Sequence, residues 1–501
     1  MQHALWHRGY ITNQKDTARA RCRSFPALGH AQASVAGKGV RRMSVFSLSN
    51  LKKTWYYLQK NGIRNAVWAV LERIGQEQEV YTWQEPDEKT LSFQREHSAS
   101  LRISIVVPAY RTKKEHLEAM LNSVSKQSYP HWELIVADAG GTAESVQAWA
   151  KKNGICLRKA ADASNLAEWK DQSIMLCTLS ENKGISANTN AGIELAAGDA
   201  VGLLDHDDLL TANALWEMAD CLEKEKKRGK QKLVLFSDED KCDGAASCFY
   251  EPNFKPDFDG ELLLTNNYIC HFTVIETAFL KELKLRSGFD GAQDYDLMLR
   301  AYAAGGQFVH VPKVLYHWRC HEASTASNPQ SKRYAYEAGQ RALEDYCLRK
   351  GWKATVSGLK HLGFYREDYE DSVFCQRPEI GIWAKPLPGG RDIFGIRHPK
   401  GFLVSGLYEN DGLMRYAGLR KGYSGPMHRA ALQQSAPAAD LRSMEVCSAL
   451  KERYAQTIAE LKEACQGLPT AAQEKKILQK SMEFCKEATA AGYGILWDPQ
   501  G

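Results

Sequence analysis

No apolar run in this sequence approaches the roughly 18 residues that a membrane-spanning helix needs. CxxC pairs are missing too, and the 13 cysteines are odd in number and scattered, as at Cys156, Cys221, Cys270 and Cys347. That pattern argues against a disulfide framework and against a zinc ribbon, and it favours reduced thiols in a cytosolic protein. A formal net charge of +5 is small for 501 residues. It gives no concentrated basic stripe, so nucleic acid is not an expected partner. The first 42 residues are basic, with Arg19, Arg21, Arg23, Arg41 and Arg42 against the single acid Asp16. They lack an apolar h-region, which excludes a secretory signal. A Gly-rich phosphate loop is also absent after the first strong strand, where PAYRTKKE stands (108–115). This counts against a nucleotidyltransferase.

What is present is ordinary in bulk: 44% hydrophobic and 25% charged residues, in a chain long enough for two or three domains. Residues 1–50 read as a disordered arm, and 51–99 as a helical segment and linker. LKKTWYYLQKNGIRNAVWAVLERI (51–74) sets bulky apolar residues among Lys and Arg at helical spacing. It suits an amphipathic helix on an anionic membrane or, as the preferred reading, a helix pair docked on the main domain.

From 103 to 224 strands and helices alternate. ISIVV, WELIVA, SIMLCTL and VGLL are strand-like, and helical stretches lie between them. That order implies a mainly parallel sheet covered by helices, with ligands beyond the carboxyl ends of the strands. Tyr110, Asp138, the NKG segment (182–184) and the DHDD segment (205–208) all fall at or near such ends. Residues 232–366 are less regular and read as an α+β completion of the same domain.

The DHDD segment is the chemical question. An apolar run, 201–204, delivers Asp205, Asp207 and Asp208 to one point, with His206 between them. Mutually repelling carboxylates at a strand end suit a hard divalent cation, Mg²⁺ or Mn²⁺, which takes a few protein oxygens and fills its remaining positions with phosphate and water. The plainer alternative is a cluster that caps the helix starting near Thr211, which accounts for one acid rather than three.

The tail repeats a piece of the main domain. DLMLRAYAAGGQFVHVP (296–312) and EFCKEATAAGYGILWDP (483–499) align at an offset of 187, with Ala301, Ala303, Ala304, Gly305 and Pro312 recurring as Ala488, Ala490, Ala491, Gly492 and Pro499. A helix, a glycine cap and a short strand explain the pattern. The same offset sets Ser481 opposite Asp294.

Several ordered segments together resemble the family 2 glycosyltransferases of GT-A fold. SIVVPAYRTKKEHLEAMLNSVSKQSYPHWELIVADAGGT is similar to that family's opening strand, helix and second strand. NKGISANTNAGIELAAGDAVGLLDHDD is similar to its helix and DxD stretch, GAQDYDLMLR to its acidic catalytic motif, and YHWRCHEAS to its late Arg-x-His segment. NNYICHFTV and LVLFSDEDK resemble the bacterial surface-polysaccharide branch, including rhamnosyltransferase-like members. The resemblance covers about 100–366. It implies an α/β fold, a mixed GT-A sheet flanked by helices, followed over 367–501 by a degenerate, partial GT-A-like α+β domain.

The resemblance further implies an inverting, metal-dependent transferase. It would move a sugar from a UDP- or dTDP-linked donor to a growing, lipid-linked glycan in the cytoplasm, with peripheral contact at the inner membrane face left open. The alternative is an inactive glycan- or nucleotide-sugar-binding scaffold. Pro108, Ala109 and Tyr110 would border the nucleoside and Asp138 would contact the base. Ala139 stands where relatives often have a second Asp. Lys183 would lie near the base or diphosphate. Asp205 would hold the ribose or assist the metal, Asp207 would be the chief metal ligand, and Asp208 would cap or support. Asp294 aligns with the general base, preceded by Gln293 where many relatives have Glu. His321 matches a metal or diphosphate position, and Arg319 would offset phosphate charge.

Other residues read more plainly. His317 sits in an aromatic-rich strand and is expected to pack there. His271 faces the acceptor or packs. Asp238, Glu239 and Asp240 bind acceptor hydroxyls or form a solvated turn.

Overall fold

The computed structural model describes residues 81–160, 169–255, 257–320, 333–358, 362–384 and 444–464, with 480–497 in part. The arm expected over 1–50, the helical 51–74 segment, His321 and Ser481 lie outside the described residues. The described residues fall into two compact units, 81–371 and 372–497.

In the first unit, helix α1 (Glu88–Glu96) precedes β1 (Ile103–Ala109), α2 (Lys114–Ser125), β2 (Trp132–Asp138), α3 (Ala143–Asn153), β3 (Cys156–Lys159) and β4 (Ser173–Thr178). Then come α4 (Ile185–Leu195), β5 (Ala200–Leu203), β6 (Leu209–Leu210) and α5 (Ala214–Lys227). The apolar runs of β1 and β2 are buried along nearly their whole length, as strands covered on both faces require. Glu133 is a buried charged residue near the start of β2. It is satisfied there by the Ser104 hydroxyl at 2.7 Å and the Arg158 guanidinium at 2.6 Å.

The second half of this unit supplies β7 (Leu233–Cys242), β8 (Phe249–Asn253), α6 (Gly260–Thr265), β9 (Thr273–Glu276), α7 (Thr277–Leu283), α8 (Gln293–Ala303) and β10 (Gln307–Arg319). Helix α9 (Arg333–Arg349) and the hairpin of β11 (Ala354–Gly358) and β12 (Tyr365–Tyr369) complete it. All ten strands β1–β10 join one sheet in the order β3-β4-β2-β1-β5-β9-β7-β10-β6, with β8 paired to β7. Neighbours among β1–β5 run parallel, whereas β9 is antiparallel to both β5 and β7. The sheet is therefore mixed, as expected. Pro312 falls in β10 where its register with β7 shifts between Val311 and Val314, a place where a missing N–H is tolerated.

Two contacts position the parts that matter below. Helix α4 lies close on β1, because a Cβ at Gly192 would stand 2.6 Å from Val106 Cγ1. Helix α8 is held by buried Asp296, which pairs with Arg286 and Arg300, and Arg286 also reaches Asp345 of α9 at 2.7 Å.

In the second unit, α10 (Val373–Gln376) leads to β13 (Ile380–Ala384), which pairs antiparallel with β14 (Met444–Val446) and parallel with β15 (Gly494–Trp497). Val446, Leu450, Ile458, Phe484 and Ala488 form its apolar cluster. The repeated segments fold alike at their corners. Gly305 and Gly492 have φ of +77° and +92°, which favours glycine. Gly306 N donates to Ala301 O at 2.8 Å, and Tyr493 N to Ala488 O at 3.1 Å, the same bond 187 residues on.

Candidate active site

The chain leaves β1 first toward β2 and later returns to its other side as β5. The carboxyl ends of β1 and β5 therefore flank a topological switch point, the usual crevice for a ligand in such a sheet. One wall is the turn after β1. Arg111 N donates to Gly140 O at 3.0 Å, knitting this turn to the one after β2. Tyr110 keeps 39% of its surface exposed, and the Arg111 guanidinium lies 5.0 Å from its ring centre. The base-contact candidate Asp138 is buried. Its carboxylate accepts from the amides of Gly140, Thr142 and Ala143 at 2.8–3.3 Å, which holds the turn and the start of α3. Lys183 extends into solvent beside Glu181 at 3.2 Å. Its NKG turn is tied by Asn182, which accepts from Gly184 N and from the Asn188 amide.

The DHDD segment follows β5, and none of its carboxylates caps α5, which starts at Ala214 behind Asn213. Asp208 is buried and accepts the Tyr316 hydroxyl at 2.5 Å and Arg319 N at 2.7 Å, a supporting role. The Arg319 guanidinium donates to the backbone carbonyls of Asp207 and Gly244, and its buried Nη2 has no partner. Tyr316 and Arg319 at the end of β10 thus fix the acidic turn from behind.

The electrostatics are uneven. Burial raises the pKa of Asp205, and the charges of Asp207 and Asp294 raise it further, against the attraction of His271 and His206. Burial likewise pushes Asp208 well above the ordinary carboxylate range, reinforced by Asp207 and Asp205. The three acids of this turn are mutually destabilising as charges. Among the described residues, no three His, Cys, Asp or Glu side chains form a cluster able to hold a metal by themselves.

Asp294 sits in the first turn of α8. It is not the N-cap, a position occupied by Ala292. One carboxylate oxygen accepts Tyr295 N at 2.9 Å and the other accepts the Asn267 amide at 2.9 Å. The Asp294 charge adds to the rise in the Asp205 pKa, which sets the two acidic elements within electrostatic reach of each other. The loop before α8 also reaches the start of α4, just after the NKG turn, through Asp290, which accepts from Ser186 N at 3.3 Å.

A single loop between α6 and β9 joins the two ends. Asn267 meets Asp294, and desolvation of the half-buried Cys270 pushes its thiol pKa well up, Asp294 adding to that effect. His271 attracts Asp205 and stacks on Tyr316, with ring centres 4.9 Å apart. Asn267 and Tyr316 were not singled out by the sequence, although both stand inside quoted segments. Only tertiary pairing gives either a role.

The DED run (238–240) fits neither expectation. It is buried in β7, neither a solvated turn nor open to an acceptor, because each carboxylate already has partners. Asp238 accepts Lys255 N and contacts His310, both at 2.8 Å. Glu239 accepts the amides of Asn253 and His271. Asp240 accepts the Tyr81 hydroxyl at 2.7 Å and contacts His317 at 2.5 Å. His317 packs among Trp83 and Phe249, as an aromatic-rich strand suggests.

Residues 104–230 match the family model described as Glycosyl transferase family 2. Within 104–230 the chain carries a family 2 glycosyltransferase domain. The sheet is mixed and flanked by helices, as expected. The protein y4gI of Sinorhizobium fredii is 37% identical over 256 residues, half of this chain and 26% of that protein. The O-antigen biosynthesis protein RfbC of Myxococcus xanthus is 34% identical over 51% of this chain and 19% of its own length. The amylovoran biosynthesis glycosyltransferase AmsB of Erwinia amylovora is 28% identical over 43% of this chain and 70% of that protein. The chain thus matches about a quarter or less of the first two relatives. Among solved structures, S. aureus TarS 1–349 in complex with UDP-GlcNAc aligns at 14% identity over 78% of this chain and 93% of that one, with a TM-score of 0.39. Among the described residues no helix is long and apolar enough to cross a membrane.

Proposed function

We propose that the domain transfers a sugar from a UDP- or dTDP-linked donor to a growing surface glycan, with inversion at the anomeric carbon and Asp294 as general base. One observation carries this reading: Asp205 follows β5 at the switch point, and the charges of Asp207 and Asp294 both raise its pKa. The acceptor hydroxyl attacks C1 and its proton passes to the Asp294 carboxylate. The C1–O bond to the diphosphate breaks, and its electron pair leaves with the nucleoside diphosphate. A hydroxyl is a poor nucleophile until its proton has an acceptor within reach, and a carboxylate across the crevice from the leaving group supplies one.

Asp205 and Asp207 are proposed to hold Mg²⁺ or Mn²⁺. The fit is chemical: Asp205, whose pKa burial raises and the neighbouring Asp207 charge raises further, offers with Asp207 an oxygen donor set suited to a hard cation whose remaining ligands are phosphate oxygens and water. Such an ion would supply charge for the departing diphosphate. Tyr110, with Pro108 and Ala109 behind it, is proposed as the nucleoside wall. Asp138 would act by shaping the neighbouring turn, and Arg319 by holding the acidic turn with one nitrogen left for phosphate.

Relatives named for O-antigen and amylovoran biosynthesis support a surface polysaccharide as product. The acceptor is proposed to be lipid-linked and met at the cytoplasmic membrane face. The tail is proposed as a degenerate second domain serving as a scaffold, because it keeps the helix–glycine–strand corner while Ser481 stands opposite Asp294. A donor-hydrolysis screen over UDP-, dTDP- and GDP-sugars with Mn²⁺ tests the reading. Nucleoside diphosphate release from a UDP- or dTDP-sugar is expected. Donor binding without release, with or without acceptor glycans, would favour a binding scaffold instead.

A further inference from the structure

We infer that Asn267 is a positioning residue that aims the Asp294 carboxylate at the acceptor hydroxyl. The inference rests on the base role proposed above. The Asn267 amide nitrogen donates to one Asp294 oxygen at 2.9 Å, while Tyr295 N donates to the other at 2.9 Å. Each oxygen is thereby fixed by one donor and retains a lone pair for an incoming hydroxyl.

The amide's orientation is forced. Turned over, it would set its carbonyl oxygen against a carboxylate. As placed, that carbonyl is buried and has no hydrogen-bond partner. An unpartnered buried carbonyl is costly, and such exceptions in a native fold call for an explanation. Here the contact with Asp294 offers one. A neutral donor also suits the task, because Lys or Arg in its place would favour the charged carboxylate and weaken it as a base.

The backbone gives this pairing a purpose beyond packing. Asn267 opens the loop whose other end brings His271 to Asp205. The amide therefore registers the base against the acidic turn across the crevice, where a misplacement of an ångström is expensive in rate.

The test uses the full chain. Asn267→Leu keeps the bulk and removes the amide, and Asn267→Ala serves if the leucine variant fails to fold by circular dichroism. Transfer kcat is expected to fall about 10- to 100-fold, while KM for the donor stays within about twofold. Combined with Asp294→Asn, the same substitution should cost no further rate, because the group it aims is gone. An unchanged kcat, a loss confined to donor KM, or a full extra loss in the Asp294→Asn background would overturn the assignment. Full activity of Asp294→Asn alone would instead overturn the base role, so the two failures are separable.

Discussion

The Tyr316 hydroxyl donates to the Asp208 carboxylate at 2.5 Å, so the last strand of the sheet grips the turn that follows β5. Burial holds the pKa of this phenol well above its ordinary value, with Asp208 adding to the effect, and the phenol remains a donor. Tyr316→Phe removes it from a buried carboxyl. The expected loss is on the order of 1–3 kcal/mol, read as a lower urea midpoint with an unchanged m-value. An unchanged midpoint would show that the turn does not depend on this grip.

Asp207 raises the pKa of both Asp205 and Asp208. Asp207→Ala should therefore relieve part of the upward pressure on the pKa of both neighbours. The same variant should lose the thermal shift that Mn²⁺ gives the parent and bind donor weakly. A parent-like Mn²⁺ titration would remove Asp207 from the ligand set.

Asp294→Asn keeps the shape of the side chain and removes the proton acceptor. Transfer should drop by about 10²- to 10⁴-fold. Nucleotide-sugar binding, followed by calorimetry, should persist.

His310 offers a pH signature away from the site. Burial alone would lower its pKa, but contacts to Asp238 at 2.8 Å and Asp257 at 3.3 Å reverse this and raise it. The ring of Phe236 stacks on its face. The folded state thus binds this proton more tightly than the unfolded chain does. The stabilisation is fully present below about pH 6.5 and is lost as pH rises through the higher folded value. The urea midpoint should decline over that interval, and His310→Asn should flatten this part of the profile.

The legible part of the fold was the part written in apolar runs. Strands β1, β2, β4 and β5 are buried stretches of Ile, Val and Leu, and they stood out at once. Edge strand β3, CLRK, is only half-buried and carries two cations, so it gave no such signal. The DED run misled for the opposite reason. Three acids look like a solvated turn until Tyr81, Lys255, His310 and His317 arrive from distant segments to satisfy them. At the site, the strand order sets Asp205 after β5 at the switch point, whereas the electrostatic reach of Asp294, on helix α8, comes only from the folded chain. The Asn267–Asp294 bond spans 27 residues and depends on the antiparallel return through β9, which no local pattern announces. Arg319 matched a phosphate position by resemblance, and only the folded chain reveals its grip on the Asp207 and Gly244 carbonyls.

The loop between α6 and β9 has one more consequence. Its interior residues Tyr268 and Ile269 are wholly packed, with Asn267 on one flank and His271 on the other. A substitution beneath it shifts both flanks in concert, like two pointers riveted to one bar. On the proposed roles, drift in this stretch would disturb the Asp294 side and the Asp205 side together, and new sugar preferences would have to arise elsewhere on the rim.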